Sequence, residues 1–399
     1  NAVSVQGIKR RTEDLFTEPL HKYLINNAIA DHNVLKFSVE YWGKPVANES
    51  ATADEQVSSI DTQESFLKDT RIEQNVDWII AHHNRKTHNR QFSAMLCVSS
   101  KEMLIKYYDI FKKKQLDGKH DLRVVTIFTY AANESDEEAN GLIGEPDFDI
   151  KTDDSKYADS REKLEQYVAD YNALYQTQHS VKDSKAFYSY YKDIAKRMKE
   201  RDKENFQDKD RADILLVVNM FLTGFDAKKL NTLYVDKNLK HHGLIQAFSR
   251  TNRVLGELKS QGNIVCFRNL KHNTDEAIAL FSDPNSSEKV LLEPYEHYAA
   301  EFNLAVDKLQ ALASSPDVVN ALQSESEKLE FVKQFRQLIR TLNKLKSFTE
   351  FDWKDLRLDH QQFEDYKSKY LDIYDFAHKK EPGASIFANE CMVLSSLVI

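Results

Sequence analysis

The chain has few of the residues that punctuate loops. Glycine accounts for 10 and proline for 7 of its 399 residues, against usual frequencies of ~7% and ~5%. So few turn formers exclude a collagen-like repeat and argue against an all-β sandwich or barrel. Cysteine is equally scarce: Cys97, Cys266 and Cys391 lie far apart and form no CxxC pair, which argues against a disulfide scaffold or a thiolate zinc site. Cys97 and Cys266 fall inside apolar runs, where a cysteine acts as a small buried hydrophobe. No apolar run approaches the ~18 residues that signal a membrane span, and no signal peptide opens the chain. A reducing, cytoplasmic setting without membrane contact is the expectation. A basic excess is also lacking. The formal charge of −8 removes the simplest electrostatic case for a nucleic-acid binder, although a net charge hides a local basic groove.

Several sequence motifs are missing too. No GxxxxGK(S/T) occurs: Gly43-Lys44 runs into proline and Gly118-Lys119 into histidine. No GxGxxG opens a helix, and there is no GxSxG elbow, so the chain has no recognisable phosphate cradle of its own. His82, His83 and His88, and His241 and His242, lack carboxylates or thiols at ligand spacing, so no metal site is expected. Residues 144–151, GEPDFDIK, imitate the elements of a PD-(D/E)xK nuclease. They overlap within five residues of a loop, whereas that site needs them on separate strands.

The residues that are present suffice for a large core, with 41% hydrophobic and 30% charged, and the length suggests two or three units. Residues 12–30 have a helical apolar spacing interrupted by Pro19, and 34–41 alternate like a strand. Residues 43–69 are polar and aperiodic, and a helix is expected from Arg71 to about His83. AMLCVSS (94–100), a helix over Lys101–Lys114 and LRVVTIFTY (122–130) then give strand, serine cap, helix, strand. That order builds a parallel sheet. Residues 131–160 are acidic and read as an inserted surface loop. Helices follow at 161–176 and 183–204, and three short apolar runs at 214–218, 232–236 and 263–267 suit buried parallel strands. A helix over Leu244–Arg253 separates the last two runs. Beyond about residue 270 the strand pattern ends, and helices are expected at 288–313, 317–346, 360–378 and 384–397. The outline is an α/β domain with a parallel sheet flanked by helices, followed by an all-α domain. On the helix over 360–378, Tyr366, Tyr370 and Tyr374 recur every four residues and suggest an aromatic face for a partner.

One stretch carries chemistry. In DILLVVNMFLTGFDAKKLNTLYVDKNLKHHGLIQAFSRTNRV (213–254), a buried strand leads into Thr223-Gly224-Phe225-Asp226. A second strand ends at Asp236, and Gln246, Arg250 and Arg253 then follow at spacings of four and three, as on one helical face. Two guanidinium forks on one face suit a phosphoryl group. From the arginines alone, ion pairs with neighbouring acids are the plainer reading.

The whole arrangement resembles motifs V and VI of superfamily 2 helicases, a T-G-x-D loop and then Q-x-x-x-R-x-x-R. AMLCVSS stands where motif IV belongs in the second RecA-like domain. The wording VVNMFLTGFDAKKLNTLYVDKNLKHHGLIQAFSRTNRV is similar to the motor (R) subunit of type I restriction–modification enzymes. LHKYLINNAIADHNVLKFSVEY and HHNRKTHNRQFSAMLCVSS resemble the same family, so the similarity spans residues 12–270. It implies residues 1–35 as the end of a first motor domain or a linker helix, 36–270 as the second RecA-like domain, and 271–399 as a helical domain. It also implies ATP and Mg²⁺ as the shared nucleotide and metal, with Arg250 and Arg253 as arginine fingers and Gln246 positioning them or the attacking water. Gly224 and Asp226 would meet nucleotide, and Thr223, Ser99 and Ser100 would grip DNA phosphate. The partners implied are double-stranded DNA and the methyltransferase and specificity subunits. The family's nuclease and Walker-bearing domains have no counterpart here, and with Asn1 in place of Met the chain reads as a C-terminal part of a longer subunit. A repair or remodelling helicase without a nuclease, or a non-catalytic α/β scaffold, are the alternatives.

Overall fold

The computed structural model describes residues 2–5, 8–11, 23–42, 67–128, 158–256, 258–283, 286 and 288–379. The polar segment 43–66, most of the acidic segment expected as an insertion, the nuclease-like 144–151, Cys391 and the helix expected at 384–397 lie outside them.

Strands β1 (Ala2–Val5) and β2 (Ile8–Arg11) form an antiparallel pair, an element absent from the sequence reading. After the short helix α1 (Ile25–Ala30) comes a six-stranded sheet of β3 (Phe37–Tyr41), β4 (Ser93–Val98), β5 (Val124–Thr126), β6 (Ile214–Val217), β7 (Leu230–Asp236) and β8 (Gly262–Cys266). Its spatial order is β3-β8-β7-β4-β6-β5, and every pairing is parallel. Every residue of β4, β6, β7 and β8 is buried, which explains their continuous apolar runs: a strand covered on both faces has no solvent side to alternate with. Cys97 and Cys266 sit in this core, and burial pushes the Cys97 thiol up to about 12. Because the chain leaves β4 for β5 on one side and returns through β6 to β7 on the other, β4 lies at a topological switch. In open α/β sheets such points hold ligands at the carboxyl ends of the strands.

The helices of this unit are α2 (Asp69–Lys86), α3 (Lys101–Leu116), α4 (Ala158–Tyr175), α5 (Ser184–Lys199), α6 (His241–Phe248) and α7 (Lys271–Phe281). Ser100 caps α3 by accepting from the Met103 amide at 3.1 Å, and Asp183 caps α5 through Ala186 at 2.8 Å. Both caps satisfy amide donors that a helix start leaves unpaired. A contiguous apolar core runs from Ile29 to Val290.

A second core begins at Tyr295 and ends at Tyr370. It is built from α8 (Tyr295–Leu312), the single turn α9 (Pro316–Val319), α10 (Glu325–Ser347) and α11 (His360–Lys379). Helix α8 starts seven residues later than its pattern suggested. The chain before Pro294 is extended, as a residue preceding proline prefers, and it pairs with the outer strand: the Phe37 amide donates to Val290 O at 3.1 Å and the Leu292 amide to Phe37 O at 2.8 Å. The outer edge of β3 is thereby paired at its first residue, Phe37. The tyrosine face is a further correction. Tyr366 and Tyr370 are buried, the first donating to Ala313 O at 2.8 Å and the second packed on Phe335 with ring centroids 5.5 Å apart. They fill the helical core and offer no partner surface.

The two cores are joined by buried polar contacts. Lys86 at the end of α2 donates to Ser347 O at 2.6 Å and pairs with Glu40 of β3. Glu40 also accepts from the Thr349 hydroxyl at 2.7 Å. The end of α10 is therefore held by both α2 and the outer strand.

Helix α6 is shorter than expected because the chain turns away at Thr251. The Arg250 and Thr251 amides donate three residues back, at 3.1 and 2.9 Å, and Asn252 then accepts from Leu35 at 2.8 Å. Thr251 fills the space above Gly262: a Cβ built there would lie 2.2 Å from the Thr251 hydroxyl and 3.2 Å from its carbonyl carbon. Gly262→Ala should therefore destabilise the α/β unit by about 1–3 kcal/mol through overpacking. Chemical denaturation of the chain checks this, and an unchanged midpoint would mean that Thr251 yields without cost.

Candidate functional site

The carboxyl end of β4 leads directly into Ser99 and Ser100. The Ser100 hydroxyl is committed to its helix cap, and the Ser99 hydroxyl accepts from Arg268 at 3.0 Å. Arg268 Nε reaches the carboxylate of Asp236, at the carboxyl end of β7, at 3.1 Å. Arg71 of α2 grips the same carboxylate with two bonds of 2.8 Å, and the Tyr107 hydroxyl donates to it at 2.7 Å. Asp236 is fully buried. Burial pushes its carboxyl up, but bonding and charge from Arg71, with Arg268 and Tyr107, hold it below the usual carboxylate range. Lys237, the next residue, donates to Asn219 beyond β6. The carboxyl ends of β4, β6, β7 and β8 thus form one cationic, hydrogen-bonded edge.

The Thr223–Asp226 loop leaves that edge and crosses to the amino ends of the strands. Gly224 adopts φ +65°, with open space where a side chain would project. Its requirement is conformational, and the backbone there stays approachable. Phe221 also sits at a positive φ of 66°, buried against α5 by a parallel stack on Tyr191 at 4.6 Å. Asp226 lies four residues before β7, at the sheet's amino edge. Arg253 meets it there, Nε to Oδ1 at 3.1 Å, held by a backbone bridge to Val34 just ahead of β3. Arg250 donates to Phe225 O, and through Nε to Gln246 O at 3.0 Å. Burial and the Arg253 charge lower the Arg250 pKa, with Asp226 opposing.

The expectation that Gln246, Arg250 and Arg253 share one helical face is corrected. Only Gln246 lies in α6, with its side chain exposed. Arg250 is in the closing turn and Arg253 in extended chain. They converge because the chain folds back along residues 34–35. The structure brings Gly224, Asp226, Gln246, Arg250 and Arg253 together, and it places Ser99 and Ser100 at the opposite edge of the sheet, with Thr223 on the crossover between. The Arg253–Asp226 pair has side-chain exposures of 41% and 59%, so it contributes about 0–1 kcal/mol to stability. Lys259, which sequence reading missed, fastens the loop from below. It donates to Lys228 O at 2.6 Å and Leu230 O at 2.9 Å, and burial lowers it to about 7.

The histidines pack separately. His83 is buried and lowered by that burial to about 3, His82 stacks on Trp78 at 4.3 Å, and His88 packs against Phe92. Among the described residues no group of three or more His, Cys, Asp or Glu could hold a metal ion, and no helix is long and apolar enough to cross a membrane.

A parallel α/β domain with helices flanking its sheet, followed by a helical region, is the class this architecture defines. Residues 90–269 match the family described as type I restriction enzyme subunit R domain 3, and residues 290–389 match the subunit R C-terminal family. The chain belongs to the type I restriction enzyme R subunits. It is 46% identical to a type I restriction enzyme endonuclease subunit of Staphylococcus saprophyticus over 92% of its own length and 37% of that protein's. It is 42% identical to one from Staphylococcus aureus with the same coverages. A solved fragment of a putative type I restriction enzyme R protein from Bacteroides fragilis is 38% identical, covering 21% of this chain and 99% of that one, with a TM-score of 0.20. The chain therefore spans little more than a third of the curated relatives' length.

Proposed function

We propose that this chain is the second motor domain and helical region of an ATP-driven double-stranded DNA translocase that restricts DNA. The observation that supports this most is the convergence of Arg250 and Arg253 on the Thr223–Asp226 loop. An exposed guanidinium whose partner is a half-exposed carboxylate gives up little to turn toward a polyphosphate, and Gly224 leaves the adjoining backbone open. ATP fits this arrangement as substrate: Arg253 and Arg250 would meet its phosphates, Asp226 would accept from the ribose, and Gln246 would steady Arg250 and orient water. A bound Mg²⁺ would neutralise phosphoryl charge, and its ligands belong to a first motor domain carrying the Walker elements.

The grip on DNA falls to the other edge. The amides at the start of α3, with Ser99, Ser100 and Thr223, suit phosphate without reading sequence, which a motor moving along any DNA requires. The loop connecting the two edges is the route by which closure over nucleotide would shift that grip. The helical region would dock on the methyltransferase and specificity subunits, in a cytoplasmic complex. A repair or remodelling helicase lacking a nuclease, or a non-catalytic scaffold, are the competing readings.

Because half of the nucleotide site is supplied elsewhere, the purified chain should hydrolyse no ATP, with or without DNA. A DNA-stimulated ATPase in this chain would overturn the proposal. Restoration of that activity when the chain is joined to its upstream half separates a motor from a scaffold.

A further inference from the structure

Helix α5 carries a surface that none of the assigned roles uses. Lys185, Lys192, Lys196 and Lys199 are all exposed. At about 100° per residue they lie within an arc of roughly 60°, spread over ~21 Å of helix. The acids nearby are mostly engaged elsewhere: Asp193 pairs with Arg197 at 3.0 Å and Glu200 with Lys203 at 2.7 Å, although the Glu200 charge also feels Lys196, while Asp183 caps the helix start. None of the four lysines makes an ion pair among the described residues. In a chain of net charge −8, a line of exposed lysines without ion-pair partners is a local cationic surface suited to a polyanion.

The stripe is also built into the candidate site. Lys192 lies over the Tyr188 ring at 4.4 Å, Tyr188 stacks with Tyr191, and Tyr191 stacks on Phe221 at 4.6 Å. Phe221 meets Phe225 edge-on at 4.7 Å, and Lys199 lies over Phe225 at 5.4 Å. A ladder of rings therefore ties the stripe at Lys192 and Lys199 to Phe221 and Phe225, just before and within the Thr223–Asp226 loop. Since α5 runs from the carboxyl edge (Tyr190 donates to Thr126 O at 2.8 Å) to the amino edge, where Arg201 reaches Ala212 O at 2.8 Å, the stripe spans the sheet from one candidate edge to the other.

We propose that the Lys185–Lys192–Lys196–Lys199 face of α5 is a DNA-backbone track that moves with the Thr223–Asp226 loop. The inference rests on the translocase reading above. Lysines, as point charges on flexible stems, suit phosphates contacted without sequence preference. An acidic face of a protein partner is the rival occupant. Contiguity with the loop that carries Thr223 favours DNA.

The test measures duplex binding by the full-length subunit across a salt series. Each lysine that contacts phosphate contributes about 0.9 to the slope of log affinity against log salt. Combining Lys185→Gln, Lys192→Gln, Lys196→Gln and Lys199→Gln should flatten the slope by about 3 to 4, equally on unrelated sequences, while four Lys→Arg replacements keep it. Single replacements, each costing about 1 in slope, serve if the combined variant folds poorly. An unchanged slope overturns the proposal. So does normal DNA binding combined with lost assembly onto the methyltransferase–specificity core, which would make the stripe a protein-docking face. Absence of DNA binding by the unaltered subunit would defeat the translocase reading itself and this track with it.

Discussion

Arg253→Ala in the full-length subunit is expected to lower DNA-stimulated ATP hydrolysis by a factor of about 10³ or more, the scale at which an arginine finger acts. Its folding stability should barely change. The two outcomes separate because the Arg253–Asp226 pair is half exposed and such pairs hold little folding energy. Arg253→Lys should fail almost as badly, since an ammonium cannot reproduce the planar fork. Arg250→Ala should match the catalytic loss but also loosen the loop, because Arg250 ties Phe225 to Gln246 through their carbonyls. Full ATPase activity in the Arg253 variant, measured at saturating DNA, would reduce the Arg253–Asp226 contact to a surface ion pair and remove that residue from the nucleotide site.

The sheet was legible because its signal is local. Each central strand is a short apolar run, buried on both faces, and Ser100, the second serine after AMLCV, announces the next helix by capping it. The edges were harder to read. Strand β5 is three residues long, and α6 stops at Phe248 because Thr251 and Asn252 find partners near Gly262 and Leu35, contacts that no local period encodes. The tyrosines at 366 and 370 show the same limit from another direction. Spacing says that they share a face, but only packing against Phe335 and Ala313 says that the face points inward.

The candidate site divides likewise. That the Thr223–Asp226 loop and the Gln246–Arg253 segment meet could be expected from their motif order, although the shared helical face was the wrong geometry. Asp236 could be read only as the end of a strand. Its partners Arg71, Tyr107 and Arg268 stand 165, 129 and 32 residues away, so no spacing rule could gather them. Lys259 and the α5 stripe were hidden differently, because spacing does not tell which lysines a fold buries and which it leaves exposed.

Asp236→Asn should be the most destabilising single change in the α/β unit, at about 3–5 kcal/mol, the cost of breaking a buried ion pair by removing one partner. The amide keeps the shape but removes the buried charge that Arg71 and Arg268 share. The pH dependence follows from the depressed carboxyl. A group whose folded pKa lies below its unfolded value, ~3.9 for aspartate, adds stability above that value and loses it as pH falls through the folded one. Denaturant unfolding should therefore show the variant far weaker near pH 7, with the gap narrowing as the medium is acidified below about pH 4. A midpoint equal to wild type at neutral pH would show that the two arginines are neutralised by other groups. Because Arg268 also holds the Ser99 hydroxyl, the variant should disturb the carboxyl edge of β4 while leaving the Arg253–Asp226 pair at the opposite edge in place. Nucleotide contacts and DNA grip would then be affected unequally by one substitution, as expected if the two edges do separate work.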